Sequence, residues 1–75
     1  MSKKSVYKLS LEDLVSIKAR ETSKPFDAKK GQIIEVIFDS QKYVGLIILI
    51  DKDAVLLLTD KKIRWFSRYL KCRIL

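Results

Sequence analysis

The hydrophobic and polar positions change period once along the chain. Leu11, Leu14 and Val15 recur at i, i+3 and i+4, with Ile17 on the flank, the spacing of one helical face. Ser10 precedes them and Asp13 follows three residues later, which forms a capping box at a helix start. Glu12 and Asp13 in the first turn, with Lys18 and Arg20 in the last, complement the helix dipole. Lys24 stands before Pro25 and is pushed out of helical geometry. A short amphipathic helix is therefore predicted over about residues 10–21, with a linker from Phe26 to Lys30.

From Ile33 the period becomes that of strands. β-Branched and apolar runs separated by polar turns predict strands over about residues 33–39, 43–51, 54–59, 62–67 and 69–74. Gly45 lies inside the second of these, which points to a bulge or sharp bend. The second and third strands are apolar on both faces, so both faces need cover. Without further helices, a bent small barrel is the economical way to provide it. The last segment shifts phase: Ile63 and Trp65 are apolar at odd positions, Leu70, Cys72 and Ile74 at even ones. Strand faces alternate with period two, so a break is expected at Phe66 to Tyr69. Phe66, Leu70 and Ile74 also lie at i, i+4 and i+8, which leaves a helix as the alternative there. The predicted fold class is mainly β: a short N-terminal helix, then a strongly bent five-stranded small barrel.

Length and composition narrow this picture. The 75 residues allow one domain, over residues 10–75, preceded by a polar, basic arm at residues 1–9 read as flexible or loosely docked. Hydrophobic residues make up 48%, more than so small a core can hide, which suggests self-association. Cys72 is the only cysteine, so no intramolecular disulfide forms. A lone thiol without a signal peptide fits a reducing, cytoplasmic setting. The longest apolar run, Val44 to Ile50, falls well short of the ~20 residues that span a bilayer.

Charge is unevenly placed. Residues 1–30 carry a net +4, residues 31–60 a net −3 and residues 61–75 a net +6. A folded molecule should then present basic zones that attract polyanions by counterion release. In the last fifteen residues the cations are interleaved with Trp65, Phe66 and Tyr69, a mixture that can pair with phosphates and stack on bases.

One spaced set of residues runs through these elements: a helix ending Ile17-Lys18-Ala19-Arg20-Glu21, Gly31 before the first strand, Val36-Ile37-Phe38, Gly45, Asp51 six residues later, and Val55-Leu56-Leu57-Leu58. In this set the chain resembles the Sm-like family, and within it the bacterial Hfq-type RNA chaperones. The resemblance covers residues 10–75. The chain departs from the family at Asp39-Ser40-Gln41-Lys42, a turn without its usual Gly. It departs again at Trp65-Phe66-Ser67-Arg68, where such chains carry the Tyr-Lys-His stretch that lines a uridine-binding pore. Diverged cyanobacterial-type members also lack that stretch. The resemblance implies a ring, with a hexamer favoured, closed by the fourth strand of one subunit pairing with the fifth of the next.

The resemblance implies a cytoplasmic post-transcriptional regulator that binds single-stranded RNA and needs no cofactor. The candidate RNA contacts are Lys18 and Arg20 at the helix end, Tyr43 in the second strand, and Arg64, Phe66, Arg68 and Lys71 in the last segment. Each has a plainer reading: dipole pairing for the helix cations, packing at an interface for Tyr43, a solvated basic strand face for Arg64, Arg68 and Lys71, and core filling for Phe66. Asp51 and Asp53 read as turn residues more than as metal ligands. The chain has no histidine, and no Ser-His, Cys-His or phosphate-loop arrangement, so an enzyme is not expected. Two other classes stay open: a small basic barrel on duplex DNA, and a protein-interaction module derived from such a ring.

Overall fold

The computed structural model describes residues 10–60 and 62–75. One helix, α1 (Leu11–Lys18), precedes five strands: β1 (Ile33–Phe38), β2 (Gln41–Ile50), β3 (Ala54–Thr59), β4 (Lys62–Ser67) and β5 (Lys71–Ile74). The arm at residues 1–9 lies outside the described residues.

The capping box forms as the sequence predicts. The Asp13 N–H donates to Ser10 Oγ at 3.1 Å, and the Ser10 N–H donates to Asp13 Oδ2 at 3.4 Å. The helix is shorter than predicted, ending at Lys18 rather than near Glu21. The reason is competition for backbone donors. The N–H groups of Glu21 and Thr22 both donate to the Tyr69 carbonyl oxygen, at 3.1 and 2.9 Å, and not back along a helix. The helix faces are also the reverse of a simple amphipathic one: Asp13 and Ser16 are buried, while Leu11, Leu14 and Val15 are exposed.

All strand pairings are antiparallel, in the order β4-β3-β2-β1-β5. Asp39 and Ser40 form the β1–β2 turn with φ of 54° and 64°, the left-handed pair that a two-residue hairpin turn requires. That tight turn starts β2 at Gln41, two residues before the predicted start. β5 starts at Lys71 and not at residue 69, because Leu70 leaves the strand path to enter the core.

Connectivity shows how strongly the sheet bends. β4 and β5 are opposite edges, separated by four interstrand steps. In a flat sheet those edges lie ~19 Å apart, at ~4.8 Å per step. The chain runs from Ser67 to Lys71 in four residue steps, which span at most ~14 Å. The sheet must therefore roll until its edges approach. A ring contact agrees: Phe66 on β4 meets Phe38 on β1 with centroids 6.4 Å apart. The edges are not hydrogen-bonded to each other, so the barrel is not closed.

Two features of β2 permit the bend. A Cβ at Gly45 would lie 2.7 Å from Thr59 Cγ2 and 2.9 Å from the Leu58 carbonyl oxygen, so only glycine allows β3 this close. The β2–β3 register then shifts between Ile47 and Leu49, placing a bulge at Ile48. Inside the rolled sheet lies a core of Ala28, Ile34, Val36, Ile47, Val55, Leu57, Phe66 and Leu70. β3 is buried on both faces from Ala54 to Leu57.

Candidate nucleic-acid interface

The rolled sheet brings the start of β2, the end of β3 and the start of β4 together at one end. Lys42, Tyr43, Val44, Thr59, Asp60, Lys62 and Arg64 line a cleft there of about 310 Å³. Pairing explains the convergence. Lys62 lies opposite Thr59 and Arg64 opposite Leu57, so both cations share the face that carries Phe66. Tyr43 reaches the same face from β2.

Arg64 is the organising side chain. Its guanidinium lies 5.0 Å from the Tyr43 ring centroid and 5.2 Å from that of Phe66. Those two rings are themselves 5.1 Å apart, tilted by 46°. The Tyr43 hydroxyl donates to Gln41 Oε1 at 3.3 Å. A guanidinium beside aromatic rings gains cation–π attraction, and its own plane is a surface on which a base can stack. Lys42 and Lys62 add two exposed cations at the margin, suited to phosphate oxygens.

The predicted site residues fall into separate groups. Tyr43 and Arg64 come together in the cleft. Lys18 and Arg20 lie apart from it, at and just past the end of α1, both exposed. The Arg20 guanidinium stacks 3.9 Å above the Tyr69 ring centroid. Lys71 is exposed on β5, opposite Ile37.

Two of the expected contacts change role. Phe66 is fully buried in the core, so its ring has no free face for a base. The strand break begins two residues later than expected, at Arg68 to Leu70, which leaves Phe66 on the inner face of β4. Arg68 spends its guanidinium on the fold. Nη1 donates to the carbonyl oxygens of Asp51 and Lys52 at 3.2 and 3.1 Å, and Nη2 donates to that of Phe26 at 3.1 Å.

Sequence reasoning gave Lys42 little weight as a turn residue and passed over Lys62, Thr59 and Asp60. The signal that reaches them is cross-strand: Lys62 and Arg64 alternate on one face of β4, and that face turns toward Tyr43 only once the sheet rolls. Tyr69, one ring of the cation–aromatic mixture in the last segment, is instead the platform under Arg20. Asp51 behaves as a turn residue, its Oδ1 accepting the Lys52 N–H at 2.8 Å. Burial pushes the Cys72 thiol from 9.0 up to about 11, which leaves it protonated and unreactive near neutrality.

Comparison with protein-family models, with curated proteins and with solved structures returns no match for this chain.

Proposed function

We propose that this protein binds single-stranded RNA as a self-assembling, Sm-like subunit related to the Hfq type. One observation carries the reading: Arg64 stacked against Tyr43 and Phe66 in a cleft flanked by Lys42 and Lys62. Phosphates meet the lysines, and a base stacks on the guanidinium or on the Tyr43 edge. Duplex DNA suits the cleft poorly, because its bases are already stacked and its width exceeds a pocket of this volume.

Assembly is supported by the two sheet edges. β4 and β5 are the two edge strands of the sheet among the described residues, and an edge strand is a template for another strand. Both carry exposed apolar residues: Ile63 on β4 is 45% exposed, Ile74 on β5 is 48% and the adjoining Leu75 is 58%. Pairing the β4 of one copy with the β5 of the next covers these residues and both edges, and a closed ring leaves neither edge over.

The test is a titration of a labelled single-stranded RNA, with unlabelled RNA and duplex DNA as competitors, alongside sedimentation of the free protein. Tight RNA binding that duplex DNA does not displace, from a species several times the 8.7 kDa of one chain, is the expected result. Preference for duplex DNA, or no binding at ~0.15 M salt where charges are screened beyond ~8 Å, sinks the reading.

A further inference from the structure

The other unexplained surface belongs to α1. A helix that exposes Leu11, Leu14 and Val15 while burying Asp13 and Ser16 presents an apolar stripe that the other described residues leave open. Leu11 is 78% exposed and Val15 55%. Beside the stripe runs a groove of about 240 Å³, floored by Leu14, Ile17, Ala54 and Trp65. Its far wall is the β2–β3 turn, Asp51-Lys52-Asp53, all three exposed. Lys52 sits in that wall, and the Arg68 guanidinium lies behind it on the carbonyl oxygens of Asp51 and Lys52. Asp51 and Asp53 nonetheless give the groove an acidic margin, in a chain whose net charge is +7.

We propose that this groove docks a basic amphipathic segment of a partner protein. Its apolar side chains seat against Leu14, Ile17 and Trp65, and its Lys or Arg side chains pair with Asp51 and Asp53. Charge selects this occupant. Two carboxylates against the single ammonium of Lys52 leave the lining net acidic, so an acidic segment or a nucleic acid is favoured less here than on the basic surfaces elsewhere. A second copy docking through the same groove about a two-fold axis sets one net-acidic lining against another, which is less favourable than a basic segment. A cation reaching the indole of Trp65 gains a further contact with the ring face. This inference is independent of the RNA reading, since it uses a different face.

Trp65 is the only tryptophan and lines the groove, so its emission reports occupancy directly. The probe is a short synthetic peptide of lysine and leucine in amphipathic order. A glutamate–leucine peptide of the same length and pattern is the control. A protein of charge +7 attracts the acidic peptide overall, so preference for the basic one is diagnostic. The lysine–leucine peptide is expected to shift Trp65 emission to shorter wavelength, saturably, and the acidic peptide is not. Asp53→Lys should weaken that binding roughly fivefold, the scale of an exposed charge pair. Leu14→Gln should weaken it roughly tenfold through lost apolar contact. Both positions are exposed, so unfolding curves should match the parent; if one variant does not fold, the other decides. No response to the basic peptide, or unchanged affinity in a folded variant, overturns the proposal. So does an emission shift driven by protein concentration alone, which assigns the groove to a second copy.

Discussion

Arg68 Nη2 donates to the carbonyl oxygen of Phe26 at 3.1 Å, across 42 positions of sequence. The same guanidinium holds the β2–β3 turn through Asp51 and Lys52, and the Phe26 N–H returns a bond to the Arg68 carbonyl oxygen at 2.7 Å. One side chain thus ties the linker, the β2–β3 turn and the end of β4. Arg68→Ala leaves three carbonyl acceptors without this donor, each partly able to turn to water. A loss of about 2 kcal/mol is expected, the scale of a charge-assisted hydrogen-bond group. Arg68→Lys should recover only part, because a point charge cannot span both segments. Urea unfolding measures both. RNA affinity of the folded Arg68→Ala protein should stay near the parent value, in contrast to the role its position in a basic segment suggests.

The RNA cleft makes the opposite demand. Arg64→Ala should reduce affinity for single-stranded RNA about tenfold, within the range of one stacked base, with a smaller effect on stability than Arg68→Ala. Arg64→Lys keeps the charge and loses the planar surface, so it should restore the salt dependence more than the affinity. Tyr43→Leu should lower affinity and leave the salt slope unchanged. Binding curves at two salt concentrations separate these outcomes; equal losses for Arg64→Lys and Arg64→Ala would argue for stacking alone.

Much of this fold is legible in the sequence, and the exceptions have physical causes. The capping box at Ser10 and Asp13 is local and forms as read. The apolar run that places β3 and the alternation that places β4 are local too. The helix end at Lys18 was not legible, because the donors of Glu21 and Thr22 are claimed by Tyr69, far away in sequence. The outward face of α1 follows from contact with β4, which no helical period encodes. At the cleft, the sequence names Tyr43 and Arg64 as candidates by their chemistry. Lys42 and Lys62 join them only because the sheet rolls. The inward turn of Phe66 and the carbonyl contacts of Arg68 are hidden for the same reason: composition names the side chains but not the direction they point.

Gly45 tests the bend itself. Its missing Cβ leaves room for Thr59 Cγ2 at 2.7 Å and for the Leu58 carbonyl oxygen at 2.9 Å, and the second of these is backbone that cannot swing aside. Gly45→Ala should cost about 1–3 kcal/mol, as overpacking does. Trimming the side chain that gives way, as in Gly45→Ala with Thr59→Ser, should recover part of that cost. Thermal unfolding of the two proteins measures the recovery. If Gly45→Ala is neutral, close approach of β3 is not what requires glycine here.

Cys72 makes stability depend on pH in the alkaline range. Desolvation raises its pKa from 9.0 to about 11, so the folded state holds the thiol proton more tightly than the unfolded chain does. The sign follows from linkage: the contribution is fully present below pH 9 and is lost as pH rises toward about 11. Lysines and tyrosines titrate in the same window, so the measurable quantity is the difference between the parent and Cys72→Ala. That difference should narrow from pH 9 to pH 11 as the parent loses its advantage. Alkylation of the native thiol should likewise stay slow until pH approaches 11. Fast alkylation at neutral pH would show that the thiol is not held in the half-buried site on β5.

The sheet edges supply the last test. Ile63 and Ile74 lie on opposite edges of the same sheet and are both exposed in one chain. If β4 of one copy pairs with β5 of the next, a charge at either edge falls in the same contact. Ile63→Lys and Ile74→Lys should each disperse the assembly to monomers, and neither should change the unfolding of the isolated chain by much, since both side chains already meet water. A mixture offers the sharper measurement. The Ile63→Lys chain keeps a sound β5 edge and the Ile74→Lys chain a sound β4 edge, so together they form a single intact contact. Sedimentation should show monomers for each variant alone and dimers for the mixture. Dimers in the mixture but not in either variant alone distinguish edge pairing from any assembly that uses one face twice. Full-sized assemblies from both single variants would remove β4 and β5 as the contact.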